Sequence, residues 1–180
     1  LQQGQFFELR PDDGSRGCDK WVCVTHPTLA RECAVGQDVF IDDGTIHLKI
    51  VEIRGDVLVC KVIVGGLLSN RKGINVPDAE ISLPTLSDKD KADILWGVEN
   101  DVDFIAVSFV RNRDDVLAVR RVIEEAGGDI KLIAKIESRK AVERLDEIAD
   151  VVDGMMVARG DLGVEIPTED VPLVQKQIRS

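Results

Sequence analysis

The residues from Leu132 to Gly163, which read LIAKIESRKAVERLDEIADVVDGMMVARGDLG, limit the possible fold more than any other part of the chain. One apolar run of strand length ends at Lys135 and Glu137, and a second run precedes Asp161. The residues between the two runs carry apolar side chains at helical spacing, namely Ala141, Val142, Leu145 and Ile148. The stretch therefore predicts a strand, a helix and a second strand that is parallel to the first.

The polar residues of this unit fall at the two strand ends. Side chains alternate along a strand, so Lys135 and Glu137 are expected to project to the same side. In parallel βα units ligands bind at the carboxyl ends of the strands, where Lys135, Glu137 and Asp161 all lie. Glu137 and Asp161 offer the oxygen ligands that Mg²⁺ or Mn²⁺ prefers, and Lys135 adds a positive charge suited to a phosphoryl group. Gly160 adds a backbone amide that a substrate can approach closely.

A structural role for the same residues stays open at this point. Lys135, Glu137 and Asp161 could also form an internal salt-bridge network, because structural ion pairs occur at strand ends too. The sequence contains neither a G-x-x-x-x-G-K-[ST] motif nor a G-x-G-x-x-G motif, so no phosphate-binding loop supports nucleotide binding. Residue types alone do not decide between a metal site and a salt-bridge network.

Charge and composition exclude several classes of protein. Residues 1–79 carry 9 Lys and Arg against 11 Asp and Glu, and residues 80–180 carry 14 against 22. The resulting net charge of −10 argues against binding to nucleic acid or to an anionic membrane surface. The cysteines at 18, 23, 33 and 60 lack the paired spacing of a zinc site and are expected to be free thiols, buried or half-buried. Together with the lack of any run of eighteen apolar residues, these features favour a cytoplasmic protein.

The first half of the chain has the pattern of an all-β domain. Runs rich in β-branched and aromatic residues predict strands at Gln5–Arg10, Lys20–Thr25, Val39–Ile41, Thr45–Ile53 and Val57–Val64. The sequences DDG at 42–44 and RGD at 54–56 are turn signals, so we expect an antiparallel meander or small barrel without a helix. His26 and His47 have no evident carboxylate partner and are expected to have surface or packing roles.

The second half, from Leu83 onward, has the pattern of alternating strands and helices. A capping box at Ser87 precedes a helix whose expected buried stripe is Ile94, Leu95 and Val98. A nearly continuous apolar run at 103–109 predicts a strand that is covered on both faces. Strand starts near 103, 131 and 154 have the spacing of βα units in a barrel. The glycine-rich segment at 65–73 between the two halves predicts a hinge.

Several motifs together resemble one family. The sequence AKIE followed by MVARGDLGVEIP closely resembles the pyruvate kinase family, and VFIDDGTIHLKI, GINVPDAEISLPTLSDKDKADI and DFIAVSFVR match further segments in the same order. The resemblance covers nearly all 180 residues. It implies an α/β chain in which residues 1–74 form a small all-β barrel lid and residues 75–180 form about three strands of a partial (β/α)8 TIM barrel.

The resemblance also implies an activity and its ligands. The expected reaction is phosphoryl transfer from phosphoenolpyruvate to ADP, which gives pyruvate and ATP in glycolysis. The expected cofactors are Mg²⁺ (or Mn²⁺) and K⁺, and the expected parent protein is a cytoplasmic homotetramer. No nucleic acid or membrane is expected as a partner.

Individual residues take family roles where they match the family motifs. Lys135 is implied as the catalytic and substrate-binding lysine, and Gly160 and Asp161 are implied to bind substrate. Glu137 and Asp161 are implied as metal ligands, and Lys72 as a nucleotide-contacting lysine on the lid. Ser108 lies where the family approaches its monovalent ion.

The family barrel has eight strands, so the resemblance also leads us to expect that this chain is a fragment. Alone, it is expected to lack phosphotransfer activity and either to associate through residues 83–180 or to keep only about its first 70 residues folded, because its outer barrel strands lack neighbours. The alternative hypothesis is a non-catalytic module that binds metal or a phosphorylated ligand, or that associates with itself.

Overall fold

The computed structural model describes residues 1–79 and 85–178. Leu83, where the sequence predicts the change of pattern, lies outside these residues. The chain divides into two units, Leu1–Ser82 and Leu83–Ser180. None of the helices in the described residues is long and apolar enough to cross a lipid bilayer.

The first unit is built on one six-stranded sheet. Its strands are β1 (Phe6–Pro11), β2 (Trp21–Val24), β3 (Asp38–Ile41), β4 (Ile46–Arg54), β5 (Val57–Val64) and β6 (Ile74–Asn75), in the spatial order β2-β1-β5-β4-β3-β6. All five strands predicted from the sequence are present. Of the two expected arrangements, the antiparallel meander is wrong, because β1 pairs in parallel with β2 and antiparallel with β5, so neighbouring strands do not follow the order of the chain. The expected absence of a helix is also wrong, since a single turn, α1, spans Leu29–Glu32.

Alternation along the strands places the core of the first unit on one face of the sheet. Phe7 and Leu9 on β1 and Leu48 and Ile50 on β4 are each at most 1% exposed. The turn between β3 and β4 has positive φ angles at Asp42, Asp43 and Gly44, as the sequence signal at 42–44 predicts. The four cysteines are free, as predicted, but the expected burial is wrong for Cys18, which is exposed.

The second unit alternates helices and strands. Its elements are α2 (Asp88–Glu99), β7 (Phe104–Val107), α3 (Arg113–Glu125), β8 (Lys131–Ile136), α4 (Arg139–Glu143), α5 (Leu145–Ala149), β9 (Gly154–Val157), α6 (Arg159–Glu165), a short 3-10 helix (Thr168–Asp170) and α7 (Val171–Ile178). The strands form a parallel sheet in the order β7-β8-β9. Three parallel strands in sequence order, with helices between them, are the arrangement of consecutive βα units in a (β/α)8 barrel.

Local sequence signals explain where the helices of this unit begin. Ser87 and Asp90 form the predicted capping box at the start of α2, because each side chain accepts a hydrogen bond from the other residue's backbone N–H. The predicted single helix between β8 and β9 is wrong, since it breaks at Arg144 (φ −124°, ψ 27°) into α4 and α5. The expected burial of Leu95 on α2 is wrong, because it is 43% exposed. The expected covering of both faces at 103–109 is also wrong, because Phe104 is 61% exposed and Phe109 is 75% exposed.

The core of the second unit centres on β8. Leu132, Ala134 and Ile136 alternate along this strand, are fully buried, and pack in one cluster with Val116 and Val119 of α3. This burial fixes the face of β8 from which Lys135 projects, because neighbouring side chains along a strand point to opposite faces.

We expect Leu132→Ala to lower the free energy of unfolding of this unit by about 2–5 kcal/mol, because it leaves a cavity in a close-packed core. Leu173→Ala on α7 is the matched control, since Leu173 is 65% exposed. That variant should stay within about 0.5 kcal/mol of the unchanged protein. A urea titration of the full-length protein measures both, and equal losses would contradict the assigned core.

Candidate functional site at the carboxyl edge of the parallel sheet

The carboxyl ends of β7, β8 and β9 lie side by side. The register pairs Val107 with Ala134 and Ile136 with Val157, so each strand ends next to the end of its neighbour. Ser108 follows β7 directly and Glu137 follows β8 directly. This edge is where parallel βα folds bind their ligands.

Lys135 and Glu137 form an ion pair at this edge. The Lys135 Nζ atom lies 2.5 Å from Glu137 Oε1, which confirms that the two side chains project to the same side of β8. The carboxylate of Glu137 is only 4% exposed, whereas the side chain of Lys135 is 25% exposed. The pair thus presents a cation toward solvent above a buried anion. It is compatible with both the metal site and the salt-bridge network.

The segment that follows β7 contacts both members of this pair. Lys135 Nζ donates a hydrogen bond to Ser108 Oγ at 3.0 Å, and the backbone N–H of Phe109 donates one to Glu137 Oε2 at 2.8 Å. The sequence does not predict either contact. Their only sequence signal is that Ser108 and Phe109 directly follow the apolar run of a strand.

Asp161 and Gly160 lie at the same edge of the sheet, after the neighbouring strand β9. Both are exposed residues in the first turn of α6, which begins two residues after the end of β9. The buried Leu162 anchors this turn. Within the described residues, no hydrogen bond or ion pair joins Asp161 to Lys135 or Glu137. A side chain built at Gly160 would meet nothing within 4 Å, so its backbone is open to an approaching ligand.

The available oxygen ligands suit a magnesium ion that also binds substrate. No group of three or more His, Cys, Asp or Glu side chains in residues 1–79 and 85–178 is arranged to hold a metal ion. An all-protein cage is therefore not present there. Mg²⁺ commonly takes one or two carboxylates and completes its shell with water and substrate oxygens, and Glu137 and Asp161 fit that requirement.

A buried carboxylate fixes the segment after Phe109. Asp115 is 4% exposed and accepts hydrogen bonds from the backbone N–H of Arg111 at 2.9 Å, from the Arg111 guanidinium, and from Thr85 Oγ1 at 2.8 Å. Burial alone would raise the pKa of Asp115, but the hydrogen bonds from Arg111 and Thr85 outweigh it and lower the pKa below its ordinary value. Asp115 therefore remains ionised and fixes this segment at neutral pH.

Lys72 is placed in the first unit, where it is paired. Its Nζ atom lies 2.7 Å from Asp42 Oδ1 in the turn between β3 and β4, and its side chain is 36% exposed. The hydrogen bond to Asp42 raises the pKa of Lys72 above its ordinary value. The N–H of Asp42 also donates to the carbonyl of Gly73 at 3.1 Å, so the backbone next to Lys72 is fixed to the same turn.

The histidines are not isolated, contrary to the interpretation of the sequence. His26 Nε2 lies 2.8 Å from Glu32 Oε2, and His47 Nε2 lies 2.8 Å from Asp38 Oδ1. The partner of His26 comes from α1, a helical turn that the sequence pattern did not predict. The partner of His47 comes from β3 and is brought near by the antiparallel pairing with β4.

The fold and the site together define an α/β barrel protein with a cation and carboxylates at the face where such barrels carry their active sites. The family model described as pyruvate kinase, barrel domain, matches residues 1–180. The chain therefore belongs to the pyruvate kinase family. This match confirms the resemblance and the fold class inferred from the sequence.

Several pyruvate kinases are similar to this chain. It is 43% identical over 179 residues to a pyruvate kinase of Clostridium perfringens, a match that covers 99% of this chain and 38% of that protein. It is 47% identical over 163 residues to one of Geobacillus stearothermophilus, covering 89% of this chain and 28% of that protein. It is 48% identical over 168 residues to pyruvate kinase PKLR of Rattus norvegicus, a match that covers 93% of this chain and 29% of that protein. The chain thus spans less than two fifths of the length of these relatives.

Proposed function

We propose that the protein containing this chain transfers the phosphoryl group of phosphoenolpyruvate to ADP and forms pyruvate and ATP, the last step of glycolysis. The observation that carries the proposal is the Lys135–Glu137 pair at the carboxyl edge of the parallel sheet, with Asp161 in the first turn of the helix that follows the adjacent strand, in a member of the pyruvate kinase family. A cytoplasmic homotetramer is part of the same proposal.

Lys135 is proposed as the catalytic residue. When the bond between phosphorus and the enol oxygen breaks, phosphorus bonds to a terminal oxygen of ADP and the enolate oxygen is left with negative charge. The Lys135 ammonium lies at the strand end with an exposed face, where it can stabilise first the transferring phosphoryl group and then that enolate oxygen. Proton addition to the enolate carbon completes the formation of pyruvate. Lys135 acts by its charge and forms no covalent intermediate.

Glu137 and Asp161 are proposed to hold the divalent metal, Mg²⁺ or Mn²⁺, which supplies further positive charge beside the phosphoryl group when bound. Each carboxylate oxygen has two lone pairs, so the hydrogen bonds from Lys135 and Phe109 leave capacity on both oxygens of Glu137. The open backbone of Gly160 and the exposed Asp161 are proposed to contact the substrate. A K⁺ ion near Ser108 belongs to the same proposal.

The two halves of the chain are proposed to have different roles. Residues 1–74 are proposed as a lid that carries the nucleotide-contacting Lys72, and residues 75–180 as part of the catalytic barrel. The partly exposed ammonium of Lys72, which is charged at neutral pH, supports a phosphate-binding role for this lysine.

The reaction itself tests the proposal. Full-length protein is incubated with phosphoenolpyruvate, ADP and Mg²⁺, and pyruvate and ATP are quantified in the same sample by phosphorus NMR and chromatography. We expect equal amounts of pyruvate and ATP, with neither formed when ADP is omitted. Pyruvate and free phosphate without ATP would show a phosphatase. Metal binding without any turnover would favour the non-catalytic module.

We expect Lys72→Ala to raise the KM for ADP by about tenfold or more, because a charge-assisted contact to a phosphate is lost. The KM for phosphoenolpyruvate should change by less than about twofold, since Lys72 is proposed to contact only the nucleotide. Lys61→Ala is the matched control, because Lys61 is an exposed lysine on β5 of the same unit. Steady-state kinetics with each substrate varied in turn measure the difference. Equal effects of the two substitutions on ADP would remove Lys72 from the nucleotide site.

A further inference from the structure

Phe109 has an unusual backbone conformation at the candidate site. In the described residues, the non-glycine residues with positive φ are Asp42, Asp43, Arg71, Asp101 and Phe109. Asp tolerates the left-handed region because its short side chain bonds to nearby backbone, but Phe has no such compensation. The Phe109 side chain is 75% exposed, so packing of its ring does not explain its φ of +55°. The surrounding contacts must maintain this conformation.

Three contacts fix Phe109 and the two residues that follow it. The N–H of Phe109 donates to the buried Glu137, the side chain of Val110 is fully buried, and the N–H of Arg111 donates to the buried Asp115. The ionised state of Asp115 keeps the last of these contacts in place at neutral pH. Together they hold the left-handed turn at a residue type that does not favour it.

The direction of the Phe109 N–H depends on this turn. The angle φ sets the rotation between the N–H of a residue and the chain that follows it. If Val110 stayed buried and Phe109 took a negative φ, the peptide group between Ser108 and Phe109 would have to rotate. That rotation would turn the N–H away from Glu137. It would also shift Ser108, which accepts the hydrogen bond from Lys135.

We propose that Phe109 is a positioning residue, whose left-handed backbone directs its N–H at Glu137 and so orients the Lys135–Glu137 pair before substrate binds. The inference deepens the proposed function and rests on it. The bend acts through Glu137 and does not itself touch the substrate. This role requires the left-handed backbone and the N–H of residue 109. It does not require the aromatic ring.

The main competing explanation is that the exposed ring itself contacts a ligand. A series of substitutions at position 109 separates the two explanations, because residue types differ in their tolerance of positive φ independently of ring loss. Gly and Asn tolerate positive φ well, Ala less well, and β-branched Val worst. All four lack the ring and, like Phe, keep the backbone N–H.

The experiment compares the unchanged full-length protein with four variants, Phe109→Gly, Phe109→Asn, Phe109→Ala and Phe109→Val. Mn²⁺ affinity and kcat are measured for each protein below its thermal midpoint, where it is folded. We expect Phe109→Val to lower both by about tenfold, because a larger share of molecules has the bend misaligned. Phe109→Gly and Phe109→Asn should stay within about twofold of the unchanged protein, with Phe109→Ala between them and the valine variant. Phe104→Val is the matched control, since Phe104 is also an exposed phenylalanine but lies in the extended strand β7.

Each outcome decides the inference. The expected order supports it, whereas equal losses in all four variants would assign the role to the ring and overturn it. A lower thermal midpoint of the valine variant with unchanged Mn²⁺ affinity and kcat would show a purely structural role and also overturn it. Failure of the proposed function itself is distinguishable, because the unchanged protein would then not transfer the phosphoryl group, whether or not it binds Mn²⁺.

Discussion

Replacement of Lys135 by methionine is expected to lower the turnover number of the full-length protein by several powers of ten and to leave Mn²⁺ binding largely intact. Methionine fills a similar volume but removes the ammonium that lies 2.5 Å from Glu137 and 3.0 Å from Ser108. The transferring phosphoryl group and the enolate oxygen would then lose a fixed positive charge in the transition state. The proposed metal ligands, Glu137 and Asp161, would remain.

Lys131→Met provides the control for this prediction. Lys131 lies on the same strand as Lys135 but at its amino end, where it pairs with Asp153 at 3.5 Å and is 54% exposed. The same chemical change at that position should leave kcat within about twofold, because Lys131 is at the edge of the sheet away from the candidate site. Steady-state kinetics give both values. A Lys135→Met protein within tenfold of the unchanged protein would show that Lys135 is not the catalytic group.

Replacement of Glu137 by glutamine is expected to weaken Mn²⁺ binding by at least about tenfold, because a neutral amide replaces an anionic oxygen ligand. The effect should be large because Glu137 is nearly fully buried and has a fixed orientation, with Lys135 on one oxygen and the N–H of Phe109 on the other. Asp161→Asn should weaken Mn²⁺ binding in the same direction. Its exposed position in the first turn of α6 leaves it freer to adjust, so we expect a smaller loss.

Paramagnetic relaxation of water protons measures the Mn²⁺ affinity of these variants. Glu143→Gln makes the same chemical change at an exposed position on α4 and should leave the affinity unchanged. If Glu137→Gln and Asp161→Asn both bind Mn²⁺ as tightly as the unchanged protein, neither carboxylate is a metal ligand. The role of Glu137 would then be limited to its structural ion pair with Lys135.

Features that depend on neighbouring residues of the chain could be predicted from the sequence. The strand starts near 103, 131 and 154 agree with the observed β7, β8 and β9, because apolar runs and turn residues encode them directly. The contact between Lys135 and Glu137 followed from the alternation of a single strand. The capping box of Ser87 and Asp90 followed from spacing in one helical turn.

Features that depend on residues distant in the chain could not be predicted in this way. The hydrogen bond from Phe109 to Glu137 spans 28 residues and requires the parallel register of β7 and β8. The parallel pairing of β1 with β2 likewise depends on the path of the chain between them, which short-range patterns do not specify. The break at Arg144 lies inside a periodic apolar pattern, so periodicity alone predicted one continuous helix.

Glu137 and Asp161 are proposed to hold one divalent metal at the carboxyl edge of the parallel sheet. Anomalous diffraction from crystals of the full-length protein soaked in Mn²⁺ and phosphoenolpyruvate tests it most directly. We predict a single manganese peak within about 2.5 Å of a carboxylate oxygen of each residue, with a phosphoenolpyruvate oxygen in the same coordination shell. A crystal in which manganese binds elsewhere, while Lys135 and Glu137 remain paired and neither carboxylate contacts the metal, would contradict the claim.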